Sequence, residues 1–91
     1  MTHAVVLIEA ERAAIATLGG QLADVEGVAE VYSVTGEFDF VAMLRVRNPE
    51  EVAQVVTHRF ADIPGIQRTQ TMVAFEAFSR HDLEAMFSIG S

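Results

Sequence analysis

Apolar positions along this chain switch between a strand-like and a helix-like rhythm. Residues 3–10 hold the continuous run Val5-Val6-Leu7-Ile8, which reads as a buried strand. A helix is expected from Glu11 or Arg12, because Ile15, Leu18, Leu22 and Val25 recur at spacings of three and four and form one stripe. Gly19-Gly20 interrupts that stripe with a poor helix former, at up to ~1 kcal/mol each against alanine. Gly27 closes the unit. Residues 28–35, rich in β-branched and aromatic side chains, predict a second strand. Gly36-Glu37 predicts a tight connection to a third strand over 38–46. There Phe38, Phe40, Ala42, Leu44 and Val46 alternate with Asp39, Val41, Met43 and Arg45. So short a link implies an antiparallel hairpin. The second helix has the clearest start: Asn48 can cap, Pro49 suits the first helical position, and Glu51 completes a capping-box-like spacing. Val52, Val55, Val56 and Phe60 form its stripe, Pro64-Gly65 ends it, and residues 66–78 predict the last strand.

An internal repeat fixes how these pieces combine. Leu22-Ala23-Asp24-Val25-Glu26-Gly27-Val28 returns 38 residues later as Phe60-Ala61-Asp62-Ile63-Pro64-Gly65-Ile66. Two copies are too few for a solenoid but suit a duplicated β-α-β unit. The expected fold is α+β: a ferredoxin-like β-α-β-β-α-β order, with a four-stranded antiparallel sheet and both helices on one face. Residues 1–78 form that domain. Residues 79–91 form a tail in which Ser79 caps a short turn and Leu83, Met86 and Phe87 share one side. The tail covers either its own subunit or a neighbour.

Two helices cover one side of such a sheet, yet both sides are apolar. Whichever of Val5 with Leu7 or Val6 with Ile8 faces the helices, the other pair faces away. Val41 and Met43 repeat the problem opposite Phe40, Ala42 and Leu44, and the last strand does so with Met72 against Val73. A bare apolar face of that size is not tolerated on soluble monomers. A second copy packed sheet to sheet by a two-fold axis removes it, so an obligate homodimer is expected.

Composition narrows the function. The 91 residues carry a formal charge of -7, and all six cations are arginine. A basic face for nucleic acid is therefore not expected. Without cysteine there is no disulfide, thiolate metal site or cysteine nucleophile. The longest apolar run, residues 4–8, is far short of the roughly 20 that cross a membrane. The first residues have no secretory pattern, so a cytoplasmic protein is expected. His3, His58 and His81 are not paired at ligand spacing, and neither metal nor cofactor is expected. No nucleophile motif appears, which argues against an enzyme.

Two polar segments remain. Thr35-Gly36-Glu37-Phe38-Asp39 puts Asp39 among apolar neighbours, an odd place for a carboxylate. It either closes a turn by accepting backbone N–H groups or waits to pair with a ligand ammonium. Arg68-Thr69-Gln70-Thr71 opens the last strand with four polar residues. It is either an exposed strand start or a set in which Thr69, Thr71 and Arg68 receive a small polar ligand, Arg68 taking a carboxylate.

These segments carry a resemblance. Val34-Thr35-Gly36-Glu37-Phe38-Asp39-Phe40, Pro49-Glu50-Glu51, Ile63-Pro64-Gly65-Ile66 and Arg68-Thr69-Gln70-Thr71, in this order, resemble the effector domain (regulation of amino acid metabolism, RAM) of the Lrp/AsnC transcriptional regulators. The resemblance implies dimers joined through their sheets, further assembly into rings such as four dimers, and amino-acid effectors bound between dimers. Gly36, Glu37, Phe38, Asp39, Arg68, Thr69, Gln70 and Thr71 are the matching binding positions. Asp39 would meet the ammonium, and Gly36 or Thr71 other polar atoms. The first strand begins by His3, where family members carry a helix-turn-helix domain, so a stand-alone effector domain is expected. It would sense amino acids or mix with full-length regulators. The rival reading is a small dimeric α+β barrel enzyme, monooxygenase- or isomerase-like, with His58 or His81 as its base.

Overall fold

The structure is a computed structural model and describes residues 1–78 and residue 80. The tail residues Ser79, Leu83, Met86 and Phe87, and the candidate base His81, lie outside the described residues. The chain runs β1 (Thr2–Ala10), a 3-10 turn (Arg12–Ala14), α1 (Ile15–Ala23), β2 (Val28–Ser33), β3 (Phe40–Val46) and α2 (Pro49–Gln54). A wider π turn (Val55–Arg59) and a 3-10 turn (Phe60–Asp62) extend α2, and β4 (Ile66–Val73) follows. The four strands form one antiparallel sheet in the order β2-β3-β1-β4. This is the ferredoxin-like α+β arrangement that the repeat implies.

Strand alternation decides the two faces. Ala4, Val6, Ile8 and Ala10 of β1 and Phe40, Ala42, Leu44 and Val46 of β3 are buried beneath the helices. Leu18 and Leu22 of α1, Val52 of α2, and Val55 and Phe60 beyond it complete that core. Ile15, at the first residue of α1, stays exposed, and Val25, past its last residue, is only partly buried. The helix does continue through Gly19-Gly20. A side chain at Gly19 would put its Cβ 3.1 Å from the Phe40 ring, so a poor helix former is used where helix and sheet approach closely. In the second unit Val55 and Phe60 are five residues apart. An α-helix would turn them to different sides; one π turn brings both inward and leaves Val56 half-buried.

The start of α2 follows its sequence signal. Asn48 Oδ1 accepts from the Glu51 N–H at 2.9 Å, and Pro49 fills the first position. The return bond differs from a simple capping box: Glu51 Oε1 accepts from the Arg47 N–H at 2.9 Å, one residue earlier than Asn48. That bond above all, then the charges of Arg59 and Arg47, hold the Glu51 carboxyl below its usual range against desolvation.

The repeat is visible in the backbone. Gly27 and Gly65, its matched glycines, both have φ of 98°. Each seats against the other unit. A Cβ at Gly65 would lie 2.3 Å from the Cβ of Ala14, while the Gly65 carbonyl accepts from Glu11 N at 2.8 Å. Beside Gly27, Arg59 Nη1 donates to the Glu26 carbonyl at 2.7 Å.

Three strand limits differ from the sequence reading by more than one residue. β2 ends at Ser33 and β3 begins at Phe40, so the connection is residues 34–39 rather than Gly36-Glu37, and Phe38 and Asp39 lie outside the strand. Val34 N donates to the Asp39 carbonyl at 3.0 Å and closes that six-residue loop. β4 ends at Val73, not Phe78. Ala74 N donates to the His3 carbonyl at 2.9 Å, and β1 has only Thr2 beyond that point, so the ladder runs out of partner.

The face away from the helices carries Val5 and Leu7 of β1, Val41 and Met43 of β3, Tyr32 of β2 and Met72 of β4. In the isolated chain Tyr32 is 49% and Met72 45% exposed, and the four central residues are half-buried. Tyr32 donates its hydroxyl to the Glu30 carboxylate beside it; that bond and the Glu30 charge raise the phenol pKa above its ordinary value.

Candidate functional site

The loop between β2 and β3 and the start of β4 meet at one end of the open face. Position follows from register. Glu9 of β1 pairs with Arg68 of β4, and Ile8 pairs with Phe40, so Glu9 stands between Arg68 on one side and the incoming loop on the other. Arg68 Nη2 lies 3.2 Å from Glu9 Oε2 and 3.5 Å from Glu37 Oε1. Its guanidinium carbon sits 4.7 Å from the centroid of the Phe38 ring. All four groups keep water contact, so each ion pair contributes at most about 1 kcal/mol. Their worth is positional: a cation is held over an aromatic ring at the mouth of the loop.

Asp39 has a defined task inside the fold. Its Oδ2 accepts from the Ala10 N–H at 2.7 Å, and its own N–H donates to the Ile8 carbonyl at 2.9 Å. The β1–β3 ladder ends at the Ile8–Phe40 pair, so Ala10 has no partner in β3, while on its other side the β4 ladder shifts register with Gln67 as the extra residue. There the β3 backbone has turned away, and the Asp39 carboxylate stands in for the missing strand acceptor. The turn reading of this residue therefore describes one of its two oxygens. Gly36 has φ of 106° with open space where a side chain would be, so the loop needs a left-handed residue there and leaves its backbone accessible.

The strand start divides. Thr69 and Thr71 pair with Ile8 and Val6 and face the helix side; Arg68 and Gln70 pair with Glu9 and Leu7 and face the open side. The structure thus brings Glu37, Phe38 and Arg68 together and separates the two threonines from them. Thr69 and Arg68 also line a groove of about 230 Å3 between the end of α2 and the free edge of β4, with Phe60, Ile63 and Ile66. Glu9 was not singled out in the sequence. Its signal was parity, since it continues the odd-numbered, open-face set of β1 as that set's only carboxylate.

His58 lies exposed on the π turn, away from any groove described here. Among the described residues no group of three or more His, Cys, Asp or Glu side chains could hold a metal ion. Nor is any helix among them long and apolar enough to cross a membrane.

Comparison with known proteins agrees with the fold. The profile of the Lrp/AsnC ligand binding domain matches residues 3–83, and the chain belongs to that family. An uncharacterised HTH-type transcriptional regulator of Pyrococcus furiosus is 42% identical over 55 residues, which are 60% of this chain and 37% of that regulator. The match thus spans well under half the length of that curated relative. A crystal structure of a Thermus thermophilus protein superposes with a TM-score of 0.82 at 42% identity, covering 88% of this chain and all of that one. A Neisseria meningitidis transcriptional regulator, crystallised as an L-methionine complex, shares the fold with a TM-score of 0.76 at 14% identity, covering 87% of this chain and 53% of its own. The curated relatives are described as transcriptional regulators, not enzymes.

Proposed function

We propose that this chain is a self-associating regulatory module that binds an amino acid and has no catalytic activity of its own. The observation that carries the reading is the meeting of Glu37, Phe38 and Arg68 beside the open backbone of Gly36, at the rim of an apolar sheet face. That face asks for a second copy, joined sheet to sheet. Rings of such dimers then create crevices where the rims meet. In such a crevice the free Oδ1 of Asp39 faces a ligand ammonium, and Gly36, Gln70 and the hydroxyls of Thr69 and Thr71, contributed across a dimer contact, meet its other polar atoms. The threonines face the other side of β4 from Arg68, so a ligand held against Arg68 on the open face meets threonine hydroxyls only from a second subunit.

Membership of a ligand-binding domain family supports a small-molecule ligand. The L-methionine bound by the Neisseria regulator of the same fold supports an amino acid. The charge of -7 argues against DNA as a direct partner of these residues, and a full-length regulator of the same family is the partner through which they reach transcription. Thermal melts against each of the twenty amino acids test the reading. A ligand at 100 times its dissociation constant adds about 2.7 kcal/mol. A flat response to all twenty, with assembly unchanged in sedimentation, refutes the sensor role.

A further inference from the structure

The segment that follows β4 carries two aromatic rings that the described residues of its own subunit leave exposed. Phe75 is 102% exposed and Phe78 88%. At that exposure neither ring packs among the described residues, and two of them this close along the chain are more than scattered surface apolar groups. The backbone leaves the sheet at a defined corner, where Ala74 N is pinned to the His3 carbonyl at the end of edge strand β4.

We propose that residues 74–78 form an intersubunit arm that lays Phe75 and Phe78 on a second copy of this chain. The inference rests on the dimer reading given above and names a contact that sheet-to-sheet packing alone does not supply. Charge favours a second copy as the occupant. The protein carries -7 and repels itself, but residues 66–75 are ten consecutive positions without Asp or Glu, so self-repulsion is least along β4 and up to Phe75, with Glu76 the one acid of the arm. Area favours it too. A phenylalanine brings about 150–250 Å2, so four from two protomers contribute roughly 600–1,000 Å2. A stable interface buries roughly 1,200–2,000 Å2 in total. The two arms alone fall short of that range, so the open face must contribute the remainder. The arm starts beside the open face, so a copy packed on that face lies within its reach.

The test uses the full chain. Sedimentation at micromolar concentration first establishes that the wild type is a dimer. p-Benzoylphenylalanine at position 75 is then expected to photo-crosslink to a second copy, giving a band of twice the chain mass. The double variant Phe75→Ala, Phe78→Ala is expected to raise the dimer dissociation constant about 100-fold or more, with an unchanged circular dichroism spectrum. A crosslink confined to one chain, or a dissociation constant within about threefold of wild type, overturns the arm and leaves the dimer standing. A wild type that sediments as a folded monomer overturns the dimer reading and the arm with it.

Discussion

Removing the Asp39 carboxylate should cost the fold measurably, and the size follows from one bond. Ala10 is 7% exposed, and its N–H finds its acceptor in Asp39 Oδ2 at 2.7 Å. The loop bonds of the Asp39 backbone, to Ile8 and Val34, do not depend on the side chain. In Asp39→Ala the buried N–H is left unpaired, which costs about 1–3 kcal/mol. In Asp39→Asn a neutral carbonyl still accepts, so the loss is under about 1 kcal/mol. For a domain of this size each kcal/mol moves the melting temperature by about 4–8 °C. The alanine variant should thus melt roughly 10 °C lower and the asparagine variant only a few degrees lower. Melts must be compared at one protomer concentration, since a dimer's stability depends on it. The same pair separates the two tasks of the residue. Asparagine keeps the clip on Ala10 but removes the charge, so it should fold well and bind an amino acid weakly by calorimetry. If Asp39→Ala melts with the wild type, water satisfies Ala10 and the carboxylate is no part of the scaffold.

Two further variants test the remaining structure. Gly65→Ala forces a side chain into φ of 98° and against the Ala14 Cβ at 2.3 Å, so denaturant titration should show a loss of at least about 2 kcal/mol. Glu51→Gln keeps an acceptor for Arg47 N but loses the carboxylate charge. Because the folded carboxyl titrates below its usual range, its contribution is present above the unfolded carboxylate pKa and disappears as pH falls through the lower folded value. The gap in melting temperature between wild type and Glu51→Gln should therefore be open at neutral pH and close on acidification below about pH 4; a gap that widens in acid contradicts the assignment.

Periodicity settled most of the architecture, because burial of one strand face and one helix stripe leaves a direct trace in residue order. The alternation through Phe40, Ala42, Leu44 and Val46, the stripe of Leu18 and Leu22, and the Asn48-Pro49 helix start all need only neighbours along the chain. The repeat did the same for topology: two glycines in matched positions share one backbone angle. Both apolar faces of the sheet were legible for the same reason.

What the order of residues did not decide is whatever depends on partners far along the chain. β4 stops at Val73 because β1 stops, not because its own sequence changes. Asp39 answers to Ala10, 29 residues before it, and Arg68 to Glu9, 59 residues before it. The division of Arg68 and Gln70 from Thr69 and Thr71 follows from strand parity, but which side of the sheet each pair faces depends on where the helices pack. Local order fixes which atoms a residue brings; the fold alone fixes the distances between atoms, and binding is decided by those distances.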